Sequence, residues 1–281
     1  MLGQHNCEKE KNMNNNTQSP QNNIVPVRLD LDSKICFHCD KDIACFTQCC
    51  HNNPVMLTPC DIIRLKKRLN ALSQEFLYAF TVPSTIEGTE LPIPVLNPVA
   101  EERGRCPLLG ENGCSVYEDR PLACRYYPVG AGLFHNSDSA DNERFFALVK
   151  EGHCQGHGLG TEMTIREWQE DQGIPEYDRV NSRWVEVVLK RKSMGPFLTI
   201  PEKTLKMFFM GSYNIDSFRD FVFRTPFLEI YEIEDEKIEK IKDDDFALFD
   251  FAVDWMMSTL YGAGLLKIRE QQAPMESVEV D

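Results

Sequence analysis

The chain has 281 residues and a net charge of −14, with 44 acidic residues against 30 basic ones. That balance excludes a general phosphate-binding face and leaves nucleic acid without a footprint, while a basic protein partner stays open. No stretch approaches the roughly 20 apolar residues that cross a bilayer, so no membrane is expected as partner. The opening MLGQHNCEKEKNMNNNTQSPQNN is polar and Asn-rich and lacks the apolar core of a signal peptide, which points to the cytoplasm.

Residues 1–30 read as a disordered tail, and Cys7 within it as an incidental free thiol. Ten of the eleven cysteines then fall between Cys36 and Cys154, six of them as Cys36, Cys39, Cys45, Cys49, Cys50 and Cys60. Thr58-Pro59-Cys60-Asp61 predicts a helix start: a Thr N-cap, Pro in the first turn and an acid at the third position. Ser73 reads as the cap of a second helix, and the four prolines of Val82–Pro98 read as a connector. Asn112-Gly113 predicts a hairpin that returns Cys114 beside the Cys106 strand, followed by a helical turn at Asp119–Arg125. Thr164 with Glu167 predicts a capping box opening a helix that contains Trp168. From Trp184 the Phe- and Met-rich segments read as packing helices. Their last has an apolar face of Leu248, Phe249, Ala252, Val253, Met256 and Leu260, acids Asp243–Asp245 before it and Gly262 or Gly264 to end it.

The expected fold class is α+β: an irregular cysteine-rich region at 31–175 with short hairpins and helices, a helical region packing on it at 176–265, and a tail at 266–281. Thiols so crowded build either a disulfide scaffold or a metal site. A chain this long can bury a core without staples, and a reducing cytosol disfavours disulfides. Metal is the stronger reading, because convergent thiolates select zinc, copper(I) or iron–sulfur clusters.

Cys36-x2-Cys39 is a short chelate loop common to zinc ribbons and ferredoxin-type sites. Cys45-x3-Cys49 spans one helical turn. Neighbouring side chains point apart in helix and strand, so the adjacent Cys49 and Cys50 are not expected to serve one ion equally. Cys60 fits a buried helix position better than a ligand, and His153 and His157 fit a surface or supporting role better than direct ligation. Gly156-x-Gly158-x-Gly160 follows no apolar strand and carries no nucleotide-site argument. No catalytic residue can be picked out.

Several runs together are distinctive: Cys45-Phe-Thr-Gln-Cys49-Cys50, Leu57-Thr58-Pro59-x-Asp61-x-x-Arg64-Leu65, Cys106-Pro107-Leu108, Gly113-Cys114-Ser115-Val116-Tyr117 and Arg120-Pro121-x-x-Cys124-Arg125-Tyr126-Tyr127-Pro128. Over about residues 36–160 they resemble the YkgJ-type cysteine-cluster family, also described as a zinc- or iron-chelating CxxCxxCC domain. The resemblance implies a metal-binding protein with an iron–sulfur cluster, or alternatively Zn2+. It implies Cys45, Cys49, Cys50, Cys106, Cys114 and Cys124 as ligands, joined by Cys154 and the pair Cys36 and Cys39. Family analogy also leaves room for a cluster-dependent enzyme, flagellin-lysine-methylase-like or redox; a structural zinc module for protein–protein contact is the other alternative. The chain departs from the family pattern in placing three residues rather than two between Cys45 and the Cys49-Cys50 pair. Arg120 and Arg125 either hold the turn through Glu118 or Asp119 or offset thiolate charge, and Tyr117, Tyr126 and Tyr127 are expected to wall the site.

Overall fold

The computed structural model describes residues 27–135, 142–195 and 199–269. The calls on residues 1–26 and 270–281, Cys7 among them, lie outside these residues; Leu29 of the expected first tail bridges to Phe146, and Lys267–Ile268 of the expected second tail forms a strand. Strand β1 (Lys34–Phe37) is followed by a 3-10 turn at Gln48–Cys50 and by helices α1 (Pro59–Arg68) and α2 (Ser73–Phe80). Two hairpins come next, β2 (Thr81–Thr85) with β3 (Pro92–Leu96) and β4 (Leu109–Gly110) with β5 (Gly113–Cys114). Helix α3 (Leu122–Tyr126) leads into the hairpin β6 (Val129–His135) and β7 (Asn142–Leu148), and β8 (His157–Thr164) returns antiparallel to β1.

The remainder is helical: α4 (Ile165–Asp171), α5 (Ile174–Ser193), α6 (Glu202–Ser212), α7 (Ile215–Arg224), α8 (Phe227–Ile230), α9 (Asp235–Asp243) and α10 (Asp245–Tyr261). The strand pair β9 (Tyr231–Glu232) and β10 (Lys267–Ile268) is the only sheet after residue 200 among the described residues. The fold is α+β, as expected.

The local signals at helix ends hold where they use neighbouring atoms. Thr58 and Asp61 form a reciprocal capping box, as do Thr164 and Glu167. At α10 the Asp244 carboxylate accepts from Phe246 N at 2.9 Å and Ala247 N at 3.1 Å, and Gly262 closes the helix with φ 66°. Two expectations fail. The cap of α2 is Leu72, whose N–H is bonded by the Glu75 carboxylate at 2.8 Å, while the Ser73 hydroxyl turns to Asn214. Val82–Pro98 is not a connector but the hairpin β2–β3. Its prolines are tolerated because the ladder does not ask them to donate: Pro83 faces Pro94, and Pro94 uses its carbonyl to accept Leu57 N at 2.9 Å.

The main core mixes both halves of the chain. Leu57, Ile62 and Leu65 of the cysteine-rich half pack in one cluster with Phe208, Phe218, Phe251 and Trp255 of the helical half. Helix α10 is its centre: Leu248, Phe251, Ala252 and Met256 are fully buried, and α5, α6, α7 and α9 all pack on it. A Cβ on Gly211 of α6 would come within 3.1 Å of the Met256 sulfur, so the small residue sets that close approach.

Polar groups tie the halves as well. Lys66 of α1 is buried with its ammonium 2.9 Å from both Asp216 and Asp245, and Arg219 pairs with the same two carboxylates. A second, smaller core holds Ile35, Phe37, Tyr126, Val129, Phe146, Ile165, Trp168 and Ile174, under the β1–β8 and β6–β7 pairs.

Candidate metal centre

The start of α1 anchors the region. Asp61 is fully buried; its carboxylate accepts from Thr58 N at 2.7 Å, from the Thr58 hydroxyl at 2.8 Å and, 61 residues on, from Leu122 N at 2.8 Å. One side chain thus caps α1 and holds the first residue of α3, the helix that carries Cys124. Burial outweighs these hydrogen bonds and pushes the Asp61 carboxyl up to about 6. Cys60 beside it is fully buried, its backbone N–H bonded to Asn181, and burial pushes its thiol up to about 12. It behaves as a small core residue.

Backbone pairing assembles one group of thiols. Cys106 N donates to Cys50 O at 2.7 Å and Asn52 N to Gly104 O at 2.8 Å, which sets the 3-10 turn alongside residues 104–106. Leu109 N bonds Cys106 O at 3.0 Å, and the β4–β5 register then places Cys114 opposite Leu109. The hairpin loop is Glu111-Asn112. Gly113 follows it with φ 116° and lies so close to the Phe46 ring that a Cβ would come within 3.1 Å, which seats the hairpin beside Cys45. Cys124 is exposed as a residue, yet its thiol is pushed up by lost solvent and then by the charges of Cys106, Asp61, Cys114 and Cys49. Cys106 and Cys114 each respond to Cys49 as well.

A second group forms on the β8 side. His38 N donates to Gly156 O at 3.1 Å, and Gln155 N donates to the Cys45 sulfur at 3.2 Å. Both bonds bring the Cys154 loop onto Cys39 and Cys45. The Cys39 thiol is pushed up to about 11, first by burial and then by Cys49, Cys45 and Cys154. Tyr127 reaches this group, since Cys154 helps to raise its phenol after burial, and its ring packs edge-on to Phe37 at 5.6 Å. Tyr126 bonds Asp178 at 2.6 Å instead, and Tyr117 is mostly exposed under the Arg120 guanidinium. Of the three tyrosines, only Tyr127 is shown against a thiol.

The Cys49 and Cys50 thiols act on one another: Cys50 lowers the Cys49 thiol, and Cys49 raises that of Cys50. Thr47, in the left-handed region at φ 65°, turns the chain into the 3-10 geometry that permits this. Cys36 is a correction: its sulfur is in a disulfide, so it has no thiolate to offer a metal. The other eight proposed ligands, Cys39, Cys45, Cys49, Cys50, Cys106, Cys114, Cys124 and Cys154, are free thiols.

Residues 38–155 match the family model CxxCxxCC, described as "Putative zinc- or iron-chelating domain". The match spans 118 of the 281 residues. It covers nearly the span over which the sequence motifs carry the resemblance. Comparisons with curated proteins and with solved structures return no match. Among the described residues no helix is long and apolar enough to cross a membrane.

The donor chemistry of this segment fits a soft metal: eight free thiols, one of which, Cys45, already accepts a backbone N–H of the kind that stabilises metal-bound thiolate. Among the described residues no three His, Cys, Asp or Glu side chains are yet arranged around one ion position. The structure shows donors as neighbours rather than as a closed coordination shell.

Arg125 is buried and gives its guanidinium to three backbone carbonyls, Arg120 O, Gln172 O and Glu118 O, so it holds the turn around Cys124. Arg120 donates to Tyr117 O and Gln172, and its charge also reaches Cys114. Beside Cys49 opens a cleft of about 570 Å³, lined by Gln48, His51, Asn52, Asn53, Glu151 and His153 among others; the Glu151 carboxylate and His153 ring stand 3.3 Å apart there. Sequence reasoning passed over His51 and Glu151. The only signal for His51 was its place directly after the Cys49-Cys50 pair.

Proposed function

We propose that the chain is a thiolate metal-binding protein in which Cys39, Cys45, Cys49, Cys50, Cys106, Cys114, Cys124 and Cys154 hold iron as an iron–sulfur cluster, with zinc as the other candidate. The observation that carries this is the gathering of these thiols, from segments up to 115 residues apart, onto the two sides of the 45–50 segment. Once zinc is satisfied by four sulfurs, further free thiols remain, which favours a cluster. The bound group would supply soft Lewis-acid or one-electron chemistry. The chain's own contribution is to hold the sulfurs together, to donate Gln155 N to Cys45 and to pin α3 through Asp61 and Arg125. So many free thiols suit a reducing compartment such as the cytoplasm, and the net negative charge suits a basic protein partner rather than nucleic acid.

A second reading, an enzyme acting on a small polar substrate, is favoured by one observation: the cleft at Cys49 brings carboxamides, imidazoles and a carboxylate beside the thiols. Purification under anaerobic conditions, with iron, zinc and acid-labile sulfide measured per chain, tests the proposal. Iron with sulfide supports a cluster. Zinc without sulfide supports the structural-zinc form, and protein free of metal after reconstitution with either refutes metal binding.

A further inference from the structure

The eight free thiols do not form one undivided pool. The backbone contacts that place them fall on opposite sides of the 45–50 segment. Cys106 is bonded to Cys50 directly, Cys114 follows through the hairpin, and Cys124 follows through the Asp61–Leu122 bond. On the other side, the Gly156–His38 and Gln155–Cys45 bonds fasten Cys154 to Cys39 and Cys45. Cys49 stands at the junction: it directly precedes Cys50, and it lines one cleft with Glu151, Gly152 and His153 of the loop that carries Cys154. The cleft at Cys49, with Glu151 and His153 on its wall, opens at that same junction.

We infer that the domain is built for two adjacent soft-metal centres: one held by Cys50, Cys106, Cys114 and Cys124, the other by Cys39, Cys45, Cys154 and Cys49. This rests on the metal-binding reading above and adds how the donors divide. Each set offers four sulfurs, the number a tetrahedral thiolate site or a cubane cluster takes. The sets also differ in surroundings. Arg120 and Arg125 hold the turn that leads to Cys124 of the first, whereas the second lies between the Gly156 loop and the aromatic group of Phe37 and Tyr127. Gly156 belongs to the second set's construction: a Cβ there would meet His38 O at 2.5 Å and the Phe37 ring at 2.8 Å, so only glycine lets the Cys154 loop close over residues 37–39.

The division is tested with cobalt(II) titrated into the full-length chain under reducing, oxygen-free conditions, reading the thiolate-to-cobalt charge-transfer band. The wild type should take up about two equivalents with full charge-transfer intensity, as two four-thiolate sites require. Cys39→Ser/Cys154→Ser should lose one equivalent and keep the other, and Cys114→Ser/Cys124→Ser should do the same reciprocally. Should either variant misfold, the wild type serves alone. After one equivalent, alkylation with iodoacetamide followed by mass spectrometry should find thiols protected as one set or the other. A single equivalent in the wild type, or protection spread evenly over all eight thiols, overturns the two-centre division. Absence of any charge-transfer band in the wild type instead overturns the metal-binding reading beneath it.

Discussion

Asp61→Ala probes the tie between the first helix and the cysteine-bearing turn. The alanine removes only the acidic half of the α1 capping box, since the Thr58 hydroxyl can still accept from the backbone N–H of residue 61. It also strands the Thr58 and Leu122 N–H groups, each costing about 1–3 kcal/mol where water cannot replace the partner. Part of this is offset, because at neutral pH the native carboxyl is held ionised against a pKa raised by burial to about 6 from 3.8. A net loss of about 3 kcal/mol at pH 7 is expected.

The pH dependence has a definite sign. A carboxyl whose folded pKa is raised stabilises most when protonated, so its contribution is full below about pH 4 and falls as pH rises through 6. The penalty of Asp61→Ala should therefore grow from pH 7 to pH 4, by up to ~3 kcal/mol, at 1.36 kcal/mol per pKa unit. Asp61→Asn, which keeps the shape without the titration, should show the same pH trend against wild type. Urea unfolding of metal-free, reduced protein, followed by the fluorescence of Trp168, Trp184 and Trp255, measures all three proteins. A penalty under ~1 kcal/mol at pH 7, or one that shrinks on acidification, would refute the reasoning.

Lys66→Ala leaves Asp216 and Asp245 facing each other with Arg219 alone, and should cost about 3 kcal/mol in the same unfolding assay. Gly156→Ala forces a methyl into His38 O and the Phe37 ring; a loss of about 1–3 kcal/mol and faster alkylation of Cys154 are expected. Cys36→Ser should leave the metal content per chain unchanged, as measured by elemental analysis, because its sulfur is not a free thiolate. Removing metal with a chelator should raise hydrogen exchange at residues 104–126 several-fold while the amides of α10 stay protected, since ligation holds the first and apolar packing the second.

The features legible in the sequence are those whose cause lies within a few residues. Thr58 reaches Asp61, Thr164 reaches Glu167, and Asp244 reaches Phe246 and Ala247 through bonds closed inside one helical turn, so residue type and spacing suffice to predict them. The crowding of ten of the eleven cysteines into residues 36–154 likewise points to a soft-metal domain from sequence alone. What the tertiary structure decided depends on partners far along the chain. Ser73 looked like a helix cap, but Asn214 and Asp216, about 140 residues away, claim its hydroxyl and N–H, leaving Leu72 in that place. The prolines of β2–β3 looked like breaks, yet Leu57 supplied the N–H that their carbonyl accepts. Which thiols meet was decided the same way: β1 pairs with β8 across 130 residues at Lys34–Thr164, and Asp61 reaches Leu122. Those closures are set by the apolar cores that hold the segments together, and local periodicity carries no record of them.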